Sequence, residues 1–335
     1  MEDQDISRRR FLGTSALAAA GFALINNPIF GAPAYIKNIG KPNSLFNGVQ
    51  IGAITYSWRS MPQDAESILK YCVECNISAI EMMGNTPEQF AGAPEAPPRP
   101  NMAPGPDGKR PEMTDEQKAA MKEYGTKLAD WRAKVSMDKF TQLRKMYNDA
   151  GVTIYAYKPN ALGTNNTDAE VDYALRAARA LGANQATVEL PNDPAQTKRL
   201  GDIAAKNKTY IAYHGHTQQT PTWWDTALGQ SKYNAMNLDM GHYVAAGFEP
   251  IDLINAKHDH IKSMHIKDRK SKANGGANVV WGAGDTPITA VLELMRTKKY
   301  KFPATIELEY QIPEGSDAVK ETAKCVEYAK KALGA

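Results

Sequence analysis

Two histidines separated by one glycine end a short apolar run in this 335-residue chain, in the stretch YIAYHGHTQ at residues 210–218. The alternation of the run predicts a β-strand. Side chains of a strand point to alternate faces, so His214 and His216 should share a face, with Gly215 leaving room between them. Such a pair suits a metal ion or a sugar. Taken alone, it could equally be a hydrogen-bonded pair at a strand end.

Polar residues recur at the ends of five consecutive predicted strands. The ends hold Glu189, His214 with His216, Asp239 with His242, His265, and Glu307 with Glu309, and they contain four of the six histidines. Converging imidazoles and carboxylates would repel one another or stay unpaired unless a cation lay among them. Mixed nitrogen and oxygen ligands suit Mn, Co, Zn or Mg ions. The pattern therefore predicts a divalent metal site at these strand ends, while the pattern alone leaves open which of these residues bind the ion.

The elements that must position these residues repeat from residue 49 onward as a short apolar run followed by a longer helical pattern. Strands are predicted at 49–57, 78–83, 152–157, 185–190, 209–214, 234–239, 261–266 and 304–309. Helices are predicted within 64–75, 136–151, 167–182 and 317–333, and the unit after the fifth strand is poor in helix. Eight strand–helix units in order predict an α/β protein, a (β/α)8 TIM barrel in one domain over residues 45–335.

One stretch does not follow this alternation of strand and helix patterns. Residues 84–111 contain eight of the twenty prolines and should form no packed core. Thr114 and Gln117 then fit a capping box before a charged helix. Residues 84–135 are therefore predicted to be a Pro-rich insertion after the second strand. It is either a lid over the site, a solvated decoration or an oligomer contact.

The N-terminal segment matches an export signal. Ser7, Arg8, Arg9, Phe11 and Leu12 fit the twin-arginine pattern, and an apolar stretch and an Ala32-Pro33-Ala34 cleavage site follow. Residues 1–34 are predicted to be removed, and the mature chain is expected in the periplasm. The alternative is an ordinary N-terminal helix.

Composition excludes several classes of protein. The net charge is +3 and stays so without residues 1–34, which does not favour nucleic acid as a partner. No run in the mature chain is apolar and long enough to span a membrane. Cys72 and Cys75 are interpreted as helix positions and not as a redox pair. A homo-oligomer remains open.

Several segments resemble the xylose-isomerase-like sugar isomerases and epimerases. LDMGH, MHIKD, WGAGDTPI and PATIELEY match segments of that family in order and spacing, over roughly residues 49–333. The resemblance implies that Asp239, His265 and Glu307 are metal ligands, that His242 assists the chemistry, and that Lys267 and Asp268 line the site. The first glutamate of the family pattern falls on His214, a departure shared with a branch that carries a YHNH-like segment. Here His214, Glu189 or both would complete the metal shell, and His216 would contact the substrate or support a ligand.

The chemistry expected of such a site is proton removal next to a carbonyl through an enediolate. Glu309 could be the base, or it could hydrogen-bond a ligand. A second carboxylate that the family's epimerases carry six residues past the first ligand is Thr220 here, so their two-carboxylate mechanism does not transfer whole. Sugar isomerisation or epimerisation is the first expectation, and β-elimination from a 3-keto-glycoside by a lyase is the second.

The remaining candidates are residues that would contact a sugar. Trp58, Trp223 and Trp281 follow strands or lie in loops where a sugar ring could stack, and Lys158 could form a polar wall. The first alternative to an enzyme is a sugar-binding barrel without catalysis, which the retained ligands disfavour. The second is a phosphodiesterase of the endonuclease-four type, which the neutral charge and the export signal disfavour.

Overall fold

The protein is represented by a computed structural model that describes residues 40–98 and 111–335. The strands are β1 (Leu45–Phe46), β2 (Val49–Ile54), β3 (Ala79–Met83), β4 (Thr153–Lys158), β5 (Gln185–Glu189), β6 (Tyr210–His214), β7 (Asn234–Asp239), β8 (Ile261–Ile266), β9 (Asp268–Arg269), β10 (Asn278–Val279) and β11 (Ala304–Ile306). The predicted signal peptide and residues 99–110 of the Pro-rich stretch lie outside the described residues.

Eight of these strands close into a parallel barrel. The order runs β2, β11, β8, β7, β6, β5, β4, β3, and β3 pairs again with β2. β1 adds an antiparallel edge to β2, and β9 pairs with β10 in the loop after β8. The predicted α/β fold, a (β/α)8 TIM barrel, is confirmed.

Helices surround the barrel, and the four predicted within 64–75, 136–151, 167–182 and 317–333 are present. The helices are α1 (Ala65–Glu74), α2 (Asn85–Phe90), α3 (Asp115–Lys134), α4 (Asp138–Asp149), α5 (Asp168–Leu181), α6 (Pro194–Asn207), α7 (Asp225–Gln230), α8 (Met240–Ala245), α9 (Pro250–Lys257), α10 (Ile288–Lys298) and α11 (Ala318–Ala332). Polar caps set several of the starts, because a side-chain oxygen accepts from a free backbone N–H of the first turn. Asp64, Thr167 and Asp317 cap α1, α5 and α11 in this way. After the fifth barrel strand only the six-residue α7 forms.

Two predicted strands end earlier than expected. Residues Thr55–Trp58 form a 3-10 turn, and residues 307–309 leave the sheet after β11. Ser57 Oγ donates to the Ile306 carbonyl and accepts from Leu308 N–H, while Arg59 donates to the Leu308 carbonyl. Side chains thus replace the ladder bonds, which frees Glu307 and Glu309 to turn into the barrel mouth.

The Pro-rich stretch is more ordered at its start than the sequence predicts. Its first residues form α2, in which Glu88 is buried. Arg132 near the end of α3 is also buried and donates from Nε and Nη2 to the two Glu88 carboxylate oxygens, at 2.8 and 3.1 Å. The expectation of no packed core across 84–111 is therefore wrong for α2, because this ion pair holds it. The predicted capping box of Thr114 and Gln117 is present.

Cys72, Cys75 and Cys325 are buried free thiols, as the interpretation of helix positions requires. Within the described ranges, no helix has the length and apolar character needed to cross a membrane.

Candidate active site

Four of the predicted metal ligands meet at the carboxyl end of the barrel. His214 ends β6, Asp239 ends β7, His265 lies near the end of β8 and Glu307 follows β11. All four are buried, and one ligand atom from each lies within 4.8 Å of the others. These residues are called the four-residue metal group below. Parallel strands bring their ends to one edge, so residues from four separate segments converge.

A second layer of polar side chains orients the two histidines of this group. Glu81, fully buried on β3, lies 2.8 Å from His265 Nε2, which leaves Nδ1 facing Glu307 Oε2 at 3.1 Å. Asn237 Oδ1 lies 2.9 Å from His214 Nδ1, which leaves Nε2 facing Asp239. Each ring therefore presents one defined nitrogen to the centre, as metal-binding histidines do.

Lys267 places a positive charge among the carboxylates. Its Nζ lies 2.9 Å from Asp239 Oδ2, 2.6 Å from Glu307 Oε2 and 2.7 Å from Glu309 Oε2. Burial opposes the ammonium, but these carboxylates outweigh burial and raise the pKa of Lys267. A Cβ atom at Gly241 would overlap the Lys267 side chain, so the glycine of DMGH makes room for this lysine.

Burial and charge set the protonation of the metal group. Burial disfavours the imidazolium of His265, but the carboxylates of Glu81 and Glu307 raise its pKa to about 10. Burial, helped by the charge of His265, lowers the pKa of His214 to about 4. Burial disfavours the Glu307 carboxylate, yet Lys267 and His265 hold its pKa well below the usual range. His265 and Lys267 thus supply the positive charge that balances the acids.

The donor set fits a divalent ion. It offers two imidazole nitrogens and two carboxylates, a combination that suits the predicted Mn, Co, Zn or Mg ion. Asp239 Oδ2 is buried, and no described donor meets it in hydrogen-bond geometry, although the Lys267 ammonium lies close. Glu81 and Asn237 already fix the histidine rings. An ion held by His214, Asp239, His265 and Glu307 would take over the charge that Lys267 and the His265 proton now supply.

Glu189 lies outside the four-residue metal group. Its carboxylate is 2.9 Å from Lys158 Nζ and 3.6 Å from His216 Nδ1, and the Glu189 and His216 side chains are about half exposed. Glu189, His214 and His216 also come within 4.8 Å of one another. However, Asn237 occupies His214 Nδ1, so only Nε2 is free to bind an ion. His214 can therefore belong either to the four-residue metal group or to the group with Glu189 and His216, but not to both at once. We call Lys158, Glu189 and His216 the mouth cluster.

His242 and Glu309 face each other beside the metal group. Asp239 Oδ1 caps α8 by accepting from the backbone N–H of His242 at 2.7 Å, which fixes the backbone that carries the ring. His242 Nε2 is buried and lies 3.7 Å from Glu309 Oε2. Burial, together with the charges of Lys267 and Arg269, lowers the pKa of His242 to about 2, so the ring is neutral.

The three tryptophans predicted to contact a sugar differ in exposure: Trp223 and Trp281 are partly exposed, and Trp58 is fully buried. Trp223 covers Gly215, where a Cβ atom would overlap its ring, and Trp281 is partly exposed and packs on Tyr328. Trp58 is fully buried in the core against Tyr71, because the 3-10 turn after β2 points it inward, so it forms no wall of the mouth.

Asp268 is buried and accepts hydrogen bonds from the backbone N–H groups of Gly282, Gly284 and Thr286. Its carboxylate therefore shapes the WGAGDT loop.

Three residues of the site escaped the sequence reasoning: Glu81, Asn237 and Arg269. A charged residue in the middle of the apolar run SAIEMM was the available signal for Glu81, since a lone buried carboxylate needs a partner. Asn237 gave a similar signal inside NAMNLD. Nothing in the spacing of Arg269 indicated its contact with His242.

Comparison with known proteins places the chain in a family. A family model described as the xylose isomerase-like TIM barrel matches residues 69–329. Inosose dehydratase of Clostridium botulinum (strain Eklund 17B / Type B) is 25% identical over 152 residues, which are 39% of this chain and 51% of that protein. The match therefore spans about half the length of the curated relative.

Solved structures share the fold at low identity. A sugar phosphate isomerase/epimerase from Parabacteroides distasonis ATCC 8503 aligns with a TM-score of 0.55 at 17% identity, over 85% of this chain and 95% of that chain. A 3-keto-D-glucoside 4-epimerase from E. coli aligns with a TM-score of 0.56 at 11% identity, over 84% and 99%. These structures support the fold, and the family model covers most of the chain. The chain therefore belongs to the xylose isomerase-like TIM barrel family.

Proposed function

We propose that the protein is a divalent-metal-dependent sugar isomerase or epimerase that removes a proton next to a carbonyl and passes through an enediolate. The observation that carries this proposal is the buried four-residue metal group beside the carboxylate of Glu309. A bound divalent ion would polarise a carbonyl oxygen and the hydroxyl next to it, which stabilises the negative charge that develops on them. The family neighbours named as epimerases are consistent with this chemistry.

The chain's own residues divide the work. Glu309 is the proposed base, because its carboxylate lies beside the metal group, where Oε2 is 2.7 Å from Lys267 Nζ. Lys267 also holds Glu307, so it fixes the relative positions of a ligand and the base. His242 faces Glu309 and is placed to bond a substrate oxygen. His216, next to Glu189 and with its ring centre 4.6 Å from that of His242, is a second group that could return a proton.

A lyase that performs β-elimination is the second candidate, and the presence of imidazoles near the proposed base favours it. His242 Nε2 lies 3.7 Å from Glu309 Oε2, and the ring centre of His216 lies 4.6 Å from that of His242. A base with separate groups that can donate a proton suits the loss of a leaving group from an enediolate. The curated relative that matches part of this chain is named a dehydratase, and dehydration is an elimination.

The proposed substrate is a small carbohydrate. The twin-arginine pattern supports a periplasmic enzyme, where free sugars and glycosides are available and phosphorylated sugars are scarce. We propose no role for nucleic acid. Trp223 and Trp281 are proposed to contact the sugar. The mouth cluster, which includes Lys158, is proposed to hydrogen-bond the hydroxyl groups of the sugar.

Proton NMR in D2O tests the function. The purified chain is mixed with free ketoses, aldoses and 3-keto-glycosides in the presence of MgCl2, ZnCl2 or EDTA, and Asp239→Asn serves as the control. Deuterium next to the carbonyl, or a new epimer with the aglycone retained, supports the isomerase. Loss of the aglycone with an enone product supports the lyase instead. No change across the panel overturns both and points to a non-catalytic sugar-binding barrel.

A further inference from the structure

Arg269 contacts His242 from the side away from the metal group. It lies on β9, two residues after Lys267, and its Nη1 meets His242 Nδ1. Its Nε donates to the Gly276 carbonyl at 2.9 Å, and its Nη2 also donates to that carbonyl. The guanidinium is therefore anchored by the loop at residues 271–276 and is aimed at one ring nitrogen.

The chemistry of the guanidinium decides which nitrogen of His242 carries the proton. Arginine has only N–H donors and keeps its charge in proteins. His242 Nδ1 must therefore accept, and the neutral ring must carry its proton on Nε2. A proton on Nδ1 would set two donors against each other.

The proton on Nε2 points into the site. Nε2 is buried and has no hydrogen-bond partner among the residues that the structure describes, and it lies 3.7 Å from Glu309 Oε2. An unpartnered buried donor is costly, which makes this position suited to an oxygen of a bound molecule. A hydroxyl in this gap could accept from His242 and donate to Glu309.

We propose that Arg269 is a positioning residue that fixes His242 as a hydrogen-bond donor through Nε2 and thereby makes Glu309 and His242 a matched acceptor and donor for one substrate hydroxyl. This inference deepens the proposed function and rests on it for the identity of that oxygen. The roles of the two side chains are then fixed before substrate arrives, which is the arrangement that stabilises developing charge best. His216, whose ring centre lies 4.6 Å from that of His242, has no arginine contact in the described structure and is not constrained in this way.

The test reads the tautomer directly by long-range proton–nitrogen NMR of the full chain labelled with 15N-histidine, in EDTA. His242→Gln identifies the His242 signals by their loss. In the unaltered chain we expect protonation on Nε2 alone. In Arg269→Gln, whose amide oxygen can accept from Nδ1–H, we expect the proton to move at least partly to Nδ1. Arg269→Lys keeps a pure donor and should keep Nε2–H, and the distant, exposed Arg144→Gln should change nothing.

These NMR results test the proposal without any measurement of catalytic activity. Protonation on Nδ1 in the unaltered chain, or an unchanged Nε2–H pattern in folded Arg269→Gln, would overturn it. If Arg269→Gln fails to fold, the unaltered chain and Arg269→Lys still decide. If the panel above yields a substrate, Arg269→Gln should lower kcat on the order of 10²-fold with little change in KM, since the lost interaction acts on developing charge. An inactive protein that shows Nε2–H would refute the function and leave this inference standing.

Discussion

At the scale of single residues, the orientation of the histidine rings sets what the site can do. His265 hydrogen-bonds the buried Glu81 through one ring nitrogen, and His214 hydrogen-bonds the buried Asn237 in the same way. The other nitrogen of each ring faces the centre of the metal group. Such partners raise ligand basicity and hold the ring, so their loss weakens a metal site even though they touch no metal. Glu309 differs, because its carboxylate is proposed to act on the substrate.

Glu81→Gln should weaken binding of Mn²⁺ or Zn²⁺ by about 10–100-fold, because His265 loses the charged acceptor that fixes its ring. Isothermal titration calorimetry measures the affinity. Glu293→Gln, an exposed substitution of the same type on α10, should leave it unchanged. Equal affinities for Glu81→Gln and the unaltered chain would show that Glu81 does not support the metal group.

Glu309→Gln should lower kcat by about 10²–10⁴-fold, the range typical of a general base, while metal affinity stays within about threefold. Deuterium incorporation on the best substrate of the panel gives the rate. The exposed Glu314→Gln, five residues on, is the matched control. Full activity in Glu309→Gln would move the role of base to another group.

At the scale of elements, two contacts hold the surroundings of the site in place. Trp223 packs over Gly215 between the two histidines of the HGH segment. Arg132 ties α3 to Glu88 of α2 through a bidentate, buried ion pair, and its Nη1 also lies 3.2 Å from Glu170 of α5. Both contacts join segments that leave the carboxyl ends of barrel strands.

Gly215→Ala should destabilise the fold by roughly 1–3 kcal/mol and displace Trp223, since its methyl group would overlap the Trp223 ring. Urea unfolding followed by tryptophan fluorescence measures both effects. Gly229→Ala on α7, where a Cβ atom meets nothing within 4 Å, should be neutral or slightly stabilising. Equal stability of the two variants would contradict the packing argument.

Arg132→Met should destabilise the protein by about 3–5 kcal/mol, because Glu88 would remain buried without its partner. Hydrogen exchange in α3 should quicken at the same time, as its other contacts are few and the helix is largely exposed. Lys127→Met on the exposed face of α3 should change the stability by less than about 0.5 kcal/mol. Unaltered exchange in α3 after Arg132→Met would show that other contacts hold the helix.

At the scale of the whole molecule, closure of the barrel brings distant charges into one buried centre. Glu81 and His265 are in contact although they are 184 residues apart in the sequence, and His265 and Glu307 are 42 residues apart. Buried carboxylates that gather in this way must be balanced, and Lys267 balances them here. A divalent ion that binds only the folded barrel should therefore stabilise the whole molecule.

Addition of Zn²⁺ or Mn²⁺ at about 100 times its dissociation constant should stabilise the fold by about 2.7 kcal/mol and raise Tm on the order of 5 °C. Differential scanning calorimetry with and without EDTA measures this shift. Asp239→Asn should abolish it, while Asp252→Asn on the exposed side of α9 should keep it. An unchanged Tm with every divalent ion tested would argue against a metal site.

The sequence by itself determined the barrel and the polar residues that meet at its carboxyl end. Strand alternation, capped helices such as Thr167 before α5, and the polar residues at strand ends are local signals, and they sufficed to bring His214, Asp239, His265 and Glu307 together. Their assignment as candidate metal ligands came from the family resemblance. These residues share one edge because parallel strands end together, a rule that needs no coordinates.

The tertiary structure alone decided what each polar residue contacts. Trp58 packs in the core and Asp268 bonds its own loop, although both were expected to contact the substrate. Glu189, a candidate metal ligand, pairs with Lys158. Glu81, Asn237 and Arg269 entered the site from outside the expected set. Side-chain partners depend on distances across the closed barrel, and local periodicity carries no information about such distances.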